Sequence, residues 1–159
     1  MATSRYHDGT EVRPSRSQDL PAIYDVLKAA PEAAAWSPEG LRATLESDPA
    51  HCLCAWRKEE IVGFIAGRRV TDEGEILNLA VGMPSRRRGV GRILVETLLS
   101  SFVREGVARV FLEVRESNGA AISFYRQLGF RLVGTRRGYY QEPDESALVL
   151  ALDTGRPGM

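Results

Sequence analysis

The sequence lacks the features that mark membrane-spanning, secreted or nucleic-acid-binding proteins. No stretch of its 159 residues is long and apolar enough to cross a bilayer, and its N-terminal segment has no apolar signal region. Basic and acidic residues both number 21, so the formal net charge is zero and a globally basic surface is absent. We therefore expect a cytoplasmic protein that binds neither membrane nor nucleic acid.

Cysteine is also scarce, since Cys52 and Cys54 are the only two. Two ligands spaced two residues apart do not complete a structural zinc site, and strand alternation would place both on one face. We interpret them as small buried core residues in a reducing compartment, and we expect no metal site.

No repeat, low-complexity tract or linker interrupts the chain, so we expect one domain over residues 12–153 with flexible termini at 1–11 and 154–159. Between the termini, helix and strand signals alternate, which predicts a mixed α/β fold with helices covering one sheet. Strands are predicted at 12–14, 52–56, 61–70, 75–81, 109–115, 130–137 and 147–152, and helices begin near residues 19, 37, 89 and 117.

A glycine-containing turn precedes the long amphipathic helix that begins at residue 89. It reads Arg86-Arg87-Arg88-Gly89-Val90-Gly91-Arg92. The N–H groups at a helix start attract anions, glycines permit close approach, and arginines add positive charge, so the segment suits a pyrophosphate. It lacks the pattern of a Walker loop or a dinucleotide fingerprint. Taken alone, it fits an ordinary turn with solvated arginines equally well, and a nucleic-acid patch less well.

Longer motifs around this turn resemble the GNAT acetyltransferase superfamily. Asn78-Leu79-Ala80-Val81 followed by Arg86-x-x-Gly89-x-Gly91 is similar to its coenzyme A signature. A downstream run resembles the RimI-type branch of this superfamily, which acetylates the N-terminal alanine of a ribosomal protein. That run is Leu112-Glu113-Val114-Arg115-x-Ser117-Asn118-x-x-Ala121-Ile122-x-x-Tyr125-x-x-Leu128-Gly129-Phe130, with Arg136-Arg137-Gly138-Tyr139-Tyr140 after it.

The resemblance implies a strongly twisted mixed sheet, splayed where coenzyme A inserts, and acetyl-CoA as co-substrate. It implies backbone contacts from Leu79, Ala80 and Val81 to the acetyl-pantetheine arm. The pyrophosphate would be bound by the segment from Arg86 to Arg92. Asn118 would contact the cofactor as well, although its position also suits a simple helix N-cap, and the two roles are compatible.

Glu113 is the candidate general base. An α-amine is largely protonated at neutral pH, so its attack on a thioester requires a proton acceptor. Strand alternation places Glu113 with Phe111 and Arg115, opposite the apolar row. A solvated carboxylate paired with Arg115 is the alternative, and the resemblance favours the catalytic role.

Tyr125 is the candidate general acid. It shares a helix stripe with Ile122 and Gly129, and an ordinary tyrosine stays protonated at neutral pH and can donate to a departing thiolate. A core tyrosine without a role is the alternative, and the resemblance again favours catalysis. For the pair to act together, we expect both side chains on one side of the sheet.

The acceptor is less well defined. Tyr139 and Tyr140, in a polar stretch between the last two predicted strands, and Trp36 near the second helix are candidate walls of the acceptor site. Aromatic walls with few charges suit a protein N-terminus. The alternatives are acetylation of a small-molecule amine and a non-catalytic acetyl-CoA-binding sensor.

Overall fold

The computed structural model describes residues 4–5, 9–86, 88–141 and 144–155, which contain eight strands and four α-helices. The helices are α1 (Leu20–Lys28), α2 (Pro38–Ser47), α3 (Val90–Arg104) and α4 (Gly119–Gln127). The strands are β1 (Ser4–Arg5), β2 (Glu11–Pro14), β3 (Cys52–Arg57), β4 (Glu60–Val70), β5 (Glu73–Val81), β6 (Arg109–Arg115), β7 (Arg131–Tyr140) and β8 (Glu145–Asp153).

All eight strands belong to one mixed sheet with the order β1-β2-β3-β4-β5-β6-β8-β7. Every neighbouring pair is antiparallel except β5 and β6, which run parallel. A parallel pair requires a crossover connection, and α3 supplies it. The mixed α/β fold predicted from the alternating signals is confirmed.

Two hydrophobic cores lie on the two faces of the sheet. The α3/α4 core contains the apolar face of the predicted amphipathic helix α3, with Val90, Leu94, Leu98 and Phe102 buried and Ile93 packed at its margin. The α1/α2 core contains Cys52 and Cys54. Both thiols are free, and burial raises the pKa of each to about 12, which confirms the interpretation of these cysteines as core residues.

The sheet opens between its two parallel strands. Pairing of β5 with β6 runs only from Glu73↔Arg109 to Ile76↔Leu112. On the other side of β5, the register with β4 shifts between Ala66 and Gly67, which leaves Leu77 as the extra residue of a bulge. Because a bulge bends its strand and increases the local twist, β5 turns away from β6 beyond Ile76.

Parts of the two termini that were predicted to be flexible are described by the structure and contact the rest of the chain. Ser4–Arg5 pairs with β2, and Thr10 is buried, so the N-terminal part extends the sheet. Thr154 donates backbone and side-chain hydrogen bonds to the carbonyls of Ala108 and Val107. Residues 1–3, 6–8 and 156–159 lie outside the described part. Among the described helices, none combines the length and hydropathy of a membrane span.

Candidate active site

A cavity of about 880 Å³ lies where β5 and β6 separate. Its walls come from both strands, the starts of α3 and α4, and the loop between α1 and α2. Most of the predicted site residues line it: Leu79, Val81, Arg86, Gly89, Val90, Gly91, Arg92, Glu113, Asn118, Tyr125 and Tyr140. Ala80, Arg88, Trp36 and Tyr139 are not part of its wall, and Arg87 lies outside the described residues.

The start of α3 presents backbone N–H groups to this cavity. Gly89, the N-cap, has φ of +79° and no side chain that caps the helix. The first intrahelical bond runs from Ile93 N to Gly89 O at 3.0 Å, so the N–H groups of Val90, Gly91 and Arg92 precede the helical ladder. The side chain of Val90 is buried in the α3/α4 core. It therefore does not block the approach of an anion to the backbone N–H of this residue.

Gly91 lies beside α4 and β5, where a side chain would find room. A Cβ at this position would lie 3.4 Å from the Phe124 ring and 3.7 Å from a methyl of Val81. Both distances are ordinary van der Waals contacts, so helix packing does not by itself require glycine at this position.

The described arginines of this segment differ in their surroundings. Arg86 donates from Nε to the carbonyl of Val81 at 3.2 Å and forms an ion pair with Glu32. Arg92 is largely exposed and pairs with Glu96 one turn along α3 at 2.7 Å. Arg88 is exposed. A diphosphate at the helix start would compete with Glu32 and Glu96 for these guanidinium groups.

Strand alternation decides which residues of β5 reach the cavity. Leu79 and Val81 pack at the margin of the α3/α4 core and line the cavity. Ala80 points the other way, into the α1/α2 core, and pairs with Phe64 of β4. The contact predicted for Ala80 is through its backbone, so the direction of its side chain does not test it.

Glu113 projects from β6 on the face opposite Val110, Leu112 and Val114, as alternation predicts. Its carboxylate forms an ion pair with Arg136, whose Nε lies 3.0 Å from Oε1 of Glu113. The negative charge of Glu113, and the hydrogen bond that Tyr139 donates to it, raise the pKa of the Tyr139 hydroxyl. Arg115, the alternative partner of Glu113, forms an ion pair with Glu145.

Arg115 contacts Glu145 and Tyr140. Its guanidinium forms a 3.0 Å ion pair with the Glu145 carboxylate and lies 4.2 Å from the centre of the Tyr140 ring. Glu145 also accepts hydrogen bonds from the backbone N–H and the hydroxyl of Ser117, so this network joins the end of β6 to the start of β8.

Tyr125 is buried on α4, with 6% of its surface exposed. Its ring makes edge contacts with Phe124 and Phe130, at centroid distances of 5.0 and 5.4 Å. Burial raises the pKa of its hydroxyl well above the ordinary value, which keeps the group protonated as a proton donor requires.

Glu113 and Tyr125 start from opposite faces of the sheet, so the expectation that they share one side is wrong. Tyr125 belongs to the α3/α4 core, whereas Glu113 faces the α1/α2 side. They nevertheless line the same cavity because the sheet is open between β5 and β6. A gap in the sheet allows groups from its two faces to converge on one bound molecule.

Asn118 is the N-cap of α4, and its side chain accepts from Ala121 N at 3.2 Å. The same amide donates to the carbonyl of Glu32 at 3.4 Å. The capping role is thus present, and the position on the cavity wall is compatible with the predicted cofactor contact.

The candidate acceptor residues separate in the structure. Tyr139 and Tyr140 belong to the end of β7, not to a loop, and their rings meet edge-to-face at 5.1 Å. Tyr140 lines the cavity, whereas Tyr139 is about half exposed and contacts Glu113. Trp36 packs against the α1/α2 core outside the cavity.

Three residues of the site were assigned no role from the sequence: Glu32, Asn78 and Arg136. Asn78 carried a signal, because a polar residue interrupts the buried positions of β5. Arg136 stands in the run that resembles the RimI-type branch, but nothing in the sequence pairs it with Glu113. Glu32 carried no signal, since its partner Arg86 lies far away in the chain.

Comparison with known proteins places this geometry in context. Residues 20–130 match the model of the acetyltransferase (GNAT) family. The chain is 37% identical over 136 residues to the ribosomal protein bS18-alanine N-acetyltransferase of Escherichia coli K12, covering 84% of this chain and 90% of that protein. It is 36% identical over 126 residues to the N-alpha-acetyltransferase RimI of Mycobacterium tuberculosis, covering 77% and 78% of the two chains.

A solved structure shows the same architecture. The ribosomal-protein-S18-alanine N-acetyltransferase from Escherichia coli superimposes with a TM-score of 0.84 at 31% identity, covering 94% of this chain and 96% of that one.

Proposed function

The chain belongs to the acetyltransferase (GNAT) family, and we propose that it transfers the acetyl group of acetyl-CoA to the N-terminal α-amine of a protein. An N-terminal alanine of a ribosomal protein is the first acceptor to test, because relatives with this activity cover most of the chain. The observation that carries the proposal is the single cavity that joins the start of α3, Tyr125 and Glu113.

The residues that line the cavity suit different parts of acetyl-CoA from one end to the other. The N–H groups at the start of α3 suit the diphosphate of coenzyme A, with Arg86 and Arg92 on the same wall. Leu79 and Val81 lie along the open edge of β5, where strand backbone suits the pantetheine amides. The thioester would then lie between Tyr125 on the α4 side and Glu113 on the opposite side.

Each of the two side chains then has a defined proton to move. Glu113 accepts a proton from the ammonium of the acceptor, directly or through water, so that the neutral nitrogen forms a bond with the acetyl carbon. Tyr125 donates its proton to the sulfur as the carbon–sulfur bond breaks. The second proton lost by the nitrogen restores the Tyr125 hydroxyl, which leaves the amide, free coenzyme A and protonated Glu113.

The charges on the acceptor side favour a peptide over a polycationic small molecule. Arg136 pairs with Glu113, and Arg115 lies over Tyr140. Each of these guanidinium groups is paired with a carboxylate, Glu113 or Glu145, so the paired groups offer no excess negative charge that would attract a polyamine or an aminoglycoside. A peptide brings one ammonium and a neutral backbone to the same place.

Mass spectrometry with acetyl-CoA and a panel of acceptors tests the proposal. The panel contains peptides that begin with Ala, Ser and Met, together with spermidine and free amino acids. We expect one acetyl group on the α-amine of the Ala-starting peptide and little product from the small amines. Preferred acetylation of a small amine, or acetyl-CoA binding without turnover on any amine, would overturn it.

A further inference from the structure

We infer that Asn78 is a positioning residue that fixes the acceptor side of the active site. The inference rests on the proposed function, because it assigns a role to a wall of the same cavity. Asn78 follows the bulge at Leu77, at the level where β5 has left β6. It is buried, with 5% of its surface exposed.

The side-chain amide of Asn78 makes three hydrogen bonds. Its Oδ1 accepts from the backbone N–H of Ala34 and from that of Leu79, both at 3.0 Å. Its Nδ2 donates to the carbonyl of Ala34, also at 3.0 Å. Both backbone groups of Ala34 are thus paired with one side chain, as a neighbouring strand would pair them.

Ala34 belongs to the α1–α2 loop, and residues 31–34 of this loop line the cavity. The loop has two other polar ties, from Glu32 to Arg86 and to Asn118. Both of those partners are predicted cofactor-binding residues. The Asn78 tie differs because it joins the loop to the strand itself, beside the open edge at Leu79.

The position of the Asn78–Ala34 hydrogen bonds indicates which of the two substrates this part of the loop contacts. Alternation in β5 places Asn78 on the same face as Ala80, which belongs to the α1/α2 core. Glu113 also faces that side of the sheet, whereas α3 and Tyr125 belong to the other core. A wall on the side of the base contacts the incoming amine, so Asn78 positions the loop for the acceptor and not for the diphosphate.

Steady-state kinetics on Asn78→Ala and Asn78→Asp tests the inference. Asn78→Ala removes all three bonds, whereas Asn78→Asp retains the acceptor oxygen and removes the donor to Ala34. We expect the KM of an Ala-starting peptide to rise about tenfold in Asn78→Ala and less in Asn78→Asp, while the KM of acetyl-CoA stays within about twofold in both. Hydrogen exchange at the Ala34 amide should accelerate in Asn78→Ala.

Ser15→Ala is the matched control. Ser15 is buried and hydrogen-bonded to Cys54 Sγ at 3.1 Å, away from the cavity, so its loss should lower stability without changing either KM. Equal changes in both KM values of Asn78→Ala, or an unchanged peptide KM, would overturn the positioning role alone. A wild-type protein that acetylates no peptide would overturn the proposed function and this inference with it.

Discussion

Arg136 reaches from β7 across β8 to hold the Glu113 carboxylate on β6, with Nε 3.0 Å from Oε1. The guanidinium is more than half exposed, so the pair contributes little to folding stability. Its consequence is geometric, because it fixes the orientation of the proposed base.

Replacement of Arg136 by Met should therefore lower kcat/KM for the peptide about tenfold and leave the melting temperature nearly unchanged. Arg131→Met is the matched control, since Arg131 lies on the same strand in an exposed 3.0 Å pair with Asp153. Steady-state rates and thermal melts measure both quantities. Equal activities in the two variants would show that Glu113 needs no such support.

Tyr125→Phe should slow the chemical step by roughly 10²–10⁴-fold, the usual value of a general acid. Packing against Phe124 and Phe130 survives because the ring is retained, so acetyl-CoA affinity and the melting temperature should change little. Rapid-quench measurement of a single turnover isolates this step from product release. Tyr24→Phe on α1 is the control, and a full rate in Tyr125→Phe would exclude the hydroxyl as proton donor.

Gly89→Ala should weaken acetyl-CoA binding about fivefold and destabilise the protein by roughly 1–2 kcal/mol, because φ of +79° is strained for alanine. Gly106→Ala separates the two effects, since Gly106 has φ of +90° at the far end of α3. We expect a similar loss of stability there without loss of binding in calorimetric titration. Equal affinities in the two variants would contradict an anion site at the start of the helix.

Cys52 and Cys54 should not react with a thiol-specific disulfide reagent in the native protein. Burial raises the pKa of each thiol to about 12, so both remain protonated at pH 8, and the reactive thiolate forms only well above that pH. In denaturant, the ordinary pKa returns and two thiols should titrate. Rapid reaction of either one in the folded protein would show that the α1/α2 core opens easily.

Local patterns were sufficient for much of the fold. The amphipathic character of α3, the start of α2 near residue 37, the cap at Asn118 and the alternation of β6 were all readable from neighbouring residues, and the structure confirms them. The resemblance to the GNAT superfamily, which rested on the longer motifs, is confirmed by the family match.

What escaped prediction depends on the order of strands in the sheet. No local pattern indicates that Arg136 reaches Glu113, because β8 inserts between their strands. The expectation that Glu113 and Tyr125 share one side of the sheet was also wrong, since the bulge at Leu77 and the short pairing of β5 with β6 create a gap that both residues line. The pairing of Ser4–Arg5 with β2 was not predicted for a related reason, because it depends on a strand elsewhere in the sheet.

The most direct test of the account is the single-turnover rate of Glu113→Gln with saturating acetyl-CoA and an Ala-starting peptide. Glu75→Gln is the control, because Glu75 lies on β5 in an ion pair with Arg68 and outside the cavity wall. The account predicts a rate about 10²–10⁴-fold below wild type for Glu113→Gln, with unchanged acetyl-CoA affinity and an unaffected control. A wild-type rate in Glu113→Gln would contradict the assignment of the base and the arrangement of the site around it.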